Sequence, residues 1–137
     1  MNVDILRLLF DFGLMTMIWM VQLIIYPSFL YYEKKALRRW HDKYTFRISY
    51  IIVPLMFGQL GLSIFQLLET LSIYSIGSFI LIMLIWGDTL IQFVPMHTKI
   101  TVDNFEKEML SRLIKRNWFR TFLWTALFLW SMLCFLV

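Results

Sequence analysis

The segment IYSIGSFILIMLIWGDTLIQFV, Ile73 to Val94, runs 22 residues with a single charged side chain, Asp88. A helix of about 20 apolar residues crosses a hydrocarbon core. This stretch is long enough to do so, and Pro95 closes it. Just before it, Glu69 to Ser72 leaves room only for a tight hairpin. The preceding apolar run, about Thr45 to Leu68, is then its antiparallel partner. Pro54 in that run predicts a kink whose freed carbonyl is satisfied by neighbouring helices. Further outward lie a run from about Ile5 to Tyr26, ended by Pro27, and one from Trp118 to Val137. The reading is all-α: a polytopic membrane four-helix bundle, one four-span domain over residues 1–137.

Composition agrees. The chain is 60% hydrophobic and 16% charged, against roughly 45–50% and 25% in soluble chains. Mean hydropathy is +0.69. A small core cannot hide that much apolar surface, so lipid must cover the excess. Four spans use up the length, which excludes a large catalytic domain outside the membrane. Met1 to Phe10 lacks a basic n-region and a small-residue cleavage site, so the first run is expected to be a retained helix. A single cysteine, Cys134, offers no disulfide framework.

The charges are few but ordered. Lys34, Lys35, Arg38, Arg39, Lys43 and Arg47 lie in one connection, and Lys99, Lys107, Arg112, Lys115, Arg116 and Arg120 in another. Only Arg7 is left for the other side. The positive-inside rule then places both basic connections in the cytoplasm and both termini outside a cell (inner) membrane. The net charge of +4 is read as topology plus contact with anionic headgroups, not as a nucleic-acid footprint. The segment His97 to Asn117, with Phe105, Met109, Leu110 and Leu113 at helical spacing, is expected to lie along the surface or to extend the third span.

The halves resemble each other. Ile18-Trp19, Gln22, Leu23-Ile24, Tyr26 and Pro27 match Ile85-Trp86, Asp88, Leu90-Ile91, Phe93 and Pro95 with one extra residue. Tyr44-Thr45-Phe46-Arg47 matches Asn117-Trp118-Phe119-Arg120. Two parallel-repeated helical hairpins follow, related by an axis along the membrane normal.

Polar residues within spans are the candidate site. A carboxylate at mid-bilayer costs about 2.5–3.5 kcal/mol and usually faces the bundle interior, which singles out Asp88, with Gln92 one turn on. Asp11 is nearer the outer surface and can reach water there. Gln22 shares its face. Gln59, Ser63 and Gln66 form one stripe, and Asn117, Thr121, Trp124, Phe128 and Ser131 another. The bland alternative is that these groups glue helices together, at about 0.6 kcal/mol per contact.

His41 and His97 both fall at the interface beside the basic connections. Histidine offers a proton carrier or a metal ligand. The pair are therefore the candidates for a metal ion or haem, although no H-x-x-x-H or C-x-x-C-H pattern supports either. Contact with lipid phosphate is the ordinary alternative. Tyr44 lies at the same level. Trp19, Trp86 and Trp124 sit deeper and can line a pocket for a flat ligand or simply pack.

Pro27, Val94-Pro95-Met96-His97 and Asn117-Trp118-x-Arg120-Thr121-x-x-Trp124 together resemble the small four-helix membrane proteins grouped with the anthrone oxygenases. That resemblance implies oxidation of polycyclic phenols by molecular oxygen without a bound cofactor. His97, Asn117, Arg120 and Trp124 are the matching positions; His41 and Asp88 lie outside the pattern.

Three functions fit the sequence. One is an intramembrane site that binds, or binds and oxidises, a hydrophobic aromatic molecule such as a quinol or polyphenol. In it His97, His41, Asp88, Arg120 and Asn117 are the chemical residues. Gln22, Gln59, Tyr44, Trp86, Gln92, Thr121 and Trp124 are the binding residues. The second is a non-enzymatic accessory subunit of a larger membrane complex. The third is a proton- or ion-coupled transporter, which at this size needs a homo-oligomer.

Overall fold

The computed structural model describes residues 2–136. Met1 and Val137, the two ends of the expected domain, lie outside the described residues. Four helices are long and apolar enough to cross a membrane: α1 (Val3–Tyr31), α2 (Lys34–Glu69), α3 (Ile73–Thr101) and α4 (Lys107–Leu136). No strand occurs among the described residues. Helix α1 packs against α2 and α4, and α3 packs against the same two. The result is a closed four-helix ring with its apolar residues largely outward. Only 22–28% of each helix's most apolar window is buried inside the bundle. Leu23, Ile24, Phe46, Phe57, Ile91 and Phe122 are among the exposed residues. A water-soluble bundle reverses that pattern, so lipid is the solvent of this surface.

The ends of the helices follow from local chemistry. Asn2 caps α1 by accepting from the Asp4 N–H at 3.0 Å. The hairpin between α2 and α3 is closed by a capping box. Ser72 Oγ accepts from the Ser75 N–H at 3.0 Å, and Ser75 Oγ accepts from the Ser72 N–H at 2.9 Å. Between α3 and α4, Asp103 turns the chain with φ of 60°, a left-handed conformation that aspartate tolerates better than most residues.

Of the two expectations for His97 to Asn117, the structure takes the extension of the third span. No separate surface helix forms over His97 to Asn117. Helix α3 runs on to Thr101, a short turn follows, and α4 starts at Lys107. The apolar positions meant for lipid turn inward instead: Phe105, Met109, Leu110 and Leu113 are all buried in the core. Helix α2 likewise begins at Lys34, well before its apolar run. These extensions carry the polar interior past the apolar spans at the basic end.

Two π turns shape that interior, at Val21–Ile25 in α1 and at Thr89–Phe93 in α3. Each stands two residues before a proline, Pro27 or Pro95. Proline has no N–H and its ring crowds the carbonyl four residues back. The hydrogen-bond ladder shifts by one residue to accommodate it. The Tyr26 N–H bonds to the Val21 carbonyl, and the Val94 N–H to the Thr89 carbonyl, both five residues back. The inward positions consequently step by five, from Val21 to Tyr26 and from Asp88 to Phe93. The same device at matching places agrees with the sequence repeat. Helix α2 remains helical through Pro54 without such a turn.

Candidate functional site

The polar faces meet in two separate clusters. The first lies towards the hairpin end. Arg7 Nε donates to both Asp11 oxygens at 3.0 Å, one turn apart on α1. Arg7 Nη1 donates to Gln66 Oε1 at 3.0 Å, and Gln59 Nε2 donates to Asp11 Oδ1 at 2.6 Å. Ser131 also donates to Asp11, and shares a 2.7 Å bond with the Tyr74 hydroxyl. Arg7 and Asp11 are both 0% exposed. Asp11 therefore does not reach water, and Arg7 is not a free topological charge. Their i, i+4 spacing is what puts the two charges together. The closed ion pair cancels the charge, and the Gln59 amide and the Ser131 hydroxyl donate further hydrogen bonds to the carboxylate.

The second cluster lies towards the basic end. His41 Nε2 and His97 Nδ1 are 2.6 Å apart. The other nitrogen of His97 is 2.9 Å from the Tyr26 hydroxyl. Arg120 reaches the same hydroxyl with Nη2 at 3.4 Å and Thr89 Oγ1 with Nη1 at 3.2 Å. Asn117 Oδ1 accepts from Arg120 Nε and Nη2 at 3.1 and 2.7 Å. Asn117 is held in turn by Gln22, whose Oε1 accepts from Asn117 Nδ2 at 2.9 Å. The guanidinium lies over the Phe93 ring, 3.5 Å from its centroid.

Arg120 is only 6% exposed, yet each of these partners is neutral. Among the described residues, no carboxylate lies within ion-pair distance of it. A buried cation ordinarily acquires a paired anion, because leaving it alone costs several kcal/mol.

Beside Arg120 is a cavity of about 420 Å³ between α2 and α3. Its polar wall is Tyr26, His41, Thr89, His97 and Arg120. Its apolar wall includes Ile48, Ile52, Met56 and Phe93. Val53 and Val94, both exposed on the bundle's outer face, border the mouth. A smaller space of about 70 Å³ continues inward from Tyr26 and Arg120 to Trp124. The larger volume is within the 300–1,000 Å³ range of small-molecule sites, and an apolar lining with few converging polar groups is their usual make-up.

The sequence-derived residues divide three ways. His41, His97, Arg120, Tyr44 and Trp124 line the two spaces. Asn117, Gln22 and Thr121 stand behind Arg120 as its support. Gln59 belongs to the other cluster, apart from a long 3.5 Å contact with Trp124 Nε1. Asp88, Gln92 and Trp86 lie outside the cavity wall. Asp88 Oδ1 accepts from Gln92 at 2.6 Å, and Gln92 accepts from Arg116. Trp86 packs edge-on to Phe57, centroids 5.0 Å apart. Tyr26, Thr89 and Phe93 also line the cavity, although the sequence does not mark them as site residues. The visible signal for Tyr26 and Phe93 is the repeat, which contains both just before its prolines.

As donors for a metal, His41 and His97 are poorly disposed. They direct one nitrogen each at the other. His97 spends its second on Tyr26, and the nearest fixed charge on the cavity wall is the Arg120 cation. Among the described residues no group of three metal-ligating side chains forms. The arrangement is suited instead to an anion or a polarised oxygen at Arg120 and to proton movement along the imidazoles.

No family model matches the chain, and no curated protein or solved structure does so either.

Proposed function

We propose that the cavity between α2 and α3 binds a hydrophobic aromatic molecule through an acidic or carbonyl oxygen, in the manner of a quinol or polyphenol. The observation that carries this reading is Arg120, a buried cation with no carboxylate within ion-pair distance, facing a cavity that is otherwise mostly apolar. The ligand oxygen sits against Arg120 and the Tyr26 hydroxyl. The rings lie along Phe93, Tyr44 and the α2 aliphatic residues. The mouth beside Val53 and Val94 admits the molecule sideways from the bilayer. By the positive-inside rule the basic end is cytoplasmic, so entry is from the cytoplasmic leaflet of the cell membrane.

The test is tryptophan quenching by menadione, a small naphthoquinone, added to the detergent-purified protein. Saturable quenching that is lost in Arg120→Gln supports the reading. Quenching that is absent, or unchanged in that variant, overturns it.

The resemblance to anthrone oxygenases extends binding to oxidation by dioxygen. Three of its four matching positions, His97, Asn117 and Arg120, belong to this one cluster, and Trp124 lies at its inner end. Oxygen uptake with anthrone, present in the wild type and lost in His97→Ala, would add the catalytic step. Uptake equal to that of empty membranes would leave a binding site without one.

A further inference from the structure

The polar wall of the cavity is a directional chain. Arg120 can only donate hydrogen bonds. The Tyr26 oxygen therefore accepts from Arg120 Nη2 and directs its own proton at His97 Nε2. With Nε2 accepting, neutral His97 carries its hydrogen on Nδ1 and donates to His41 Nε2 at 2.6 Å. His41 then carries its hydrogen on Nδ1, which faces Thr101 Oγ1 at 3.4 Å and Asp42 Oδ1 at 3.9 Å. One cation at the start fixes every tautomer down the line. The chain begins at Arg120, which is 6% exposed, and ends at Asp42, whose side chain is 48% exposed.

The groups facing this chain come from all four helices: Tyr26 from α1, His41, Asp42 and Tyr44 from α2, His97 and Thr101 from α3, and Arg120 from α4. Arg120 is the only fixed charge among those that line the cavity.

We propose that the ligand of this cavity is an acidic phenol or enol, that it is held as its oxyanion on Arg120, and that its proton leaves along Tyr26, His97 and His41 to Asp42. This rests on the binding reading above and narrows its ligand class. The protons balance at each link. The ligand O–H bond breaks and its proton goes to the Tyr26 oxygen, while Tyr26 passes its own proton to His97 Nε2. His97 releases the Nδ1 proton to His41 Nε2, and His41 releases its Nδ1 proton towards Asp42 and water. One proton leaves, and the anion left behind neutralises Arg120. Nothing is oxidised or reduced. A neutral quinone, with no proton to give, has no use for the chain.

A para-nitrophenol bearing a short alkyl chain tests this with the full-length protein in detergent. Its phenolate is yellow and its neutral form is colourless, so colour reports ionisation. Tryptophan quenching reports binding separately. At a pH where the free probe is neutral, the bound probe is expected to turn yellow. In stopped flow, His41→Phe should slow the appearance of colour by about 100-fold, the size of a lost acid–base path. Asp42→Asn, altered at an exposed position that leaves the fold intact, should slow it as well. A probe that quenches but stays colourless overturns the proposal while leaving the binding reading in place. So does colour that rises in both variants as fast as in the wild type. A probe that does not quench at all overturns the proposal, and overturns the binding reading as well when menadione also fails to quench.

Discussion

Arg7 and Arg120 are both buried in this bundle, and they sit in opposite circumstances. Arg7 is 0% exposed with Asp11 against it at 3.0 Å, and the pair is wrapped by Gln59, Gln66 and Ser131. Arg120 has an asparagine, a threonine, a tyrosine and a phenylalanine ring for company, and an open cavity at its side. The first cluster is electrically closed. It ties α1 to α2 and α4 and has no charge to offer. The second is open, with a positive charge left over. A buried arginine alone thus says little about function. Whether its counter-charge comes from the chain or from outside decides the role.

The largest effect should be on the closed cluster. Asp11→Ala strands Arg7 in a low-dielectric interior, and breaking such a pair from one side costs about 3–5 kcal/mol. Thermal unfolding in detergent should show that loss. Arg120→Met should cost far less, because it removes a charge that has no partner. Equal destabilisation by the two would break the comparison, since Arg120 would then be structural too.

Next comes the ligand. If the ligand supplies the missing counter-charge, Arg120→Gln should weaken quenching by the alkyl para-nitrophenol probe by about 100-fold, roughly the 1.5–3 kcal/mol of a charge-assisted hydrogen bond. Asp11→Asn, measured on the folded fraction, should leave quenching within about threefold, a difference below the 1.4 kcal/mol that makes a factor of ten. A smaller loss is expected from Tyr26→Phe, about tenfold, the size of one neutral hydrogen bond in a buried site. If Tyr26→Phe matches Arg120→Gln, the hydroxyl and not the cation holds the ligand.

The contrast between the clusters was only partly legible in the sequence. The spans, the tight hairpin and the common level of His41 and His97 followed from hydropathy and from proline placement. The polar stripe of α4 followed from its spacing, and Asn117, Thr121, Trp124 and Ser131 are all buried. Two things did not follow. Charge counting assigns Arg7 to the side opposite the basic connections and says nothing of a partner for it. Its position four residues before Asp11 was the available signal. Tyr26 and Phe93 passed as ordinary aromatics because a 3.6-residue period does not anticipate a π turn. In α3 the five-residue step from Asp88 sets Phe93 as the next inward position. A carboxylate within a span draws attention by its insertion cost, yet cost identifies a residue that must be accommodated, not one that acts.

Asp88→Asn is therefore expected to have the smallest effect, and it is the sharpest check on the open cluster. Asp88 points Oδ1 at Gln92, and through Gln92 it meets Arg116, which is exposed. Asparagine keeps an acceptor for Gln92, so that bond survives the change. Affinity for the alkyl para-nitrophenol probe should stay within about twofold, since a change of 1.4 kcal/mol is needed for a factor of ten. The reason is geometric: Asp88 lies beyond ion-pair reach of Arg120, on a flank that the cavity does not touch. Affinity that instead rises tenfold in Asp88→Asn would mean that this carboxylate does compete with the ligand for Arg120 at longer range. The cation would then not be unpaired, and the difference between the two arginines would become one of degree.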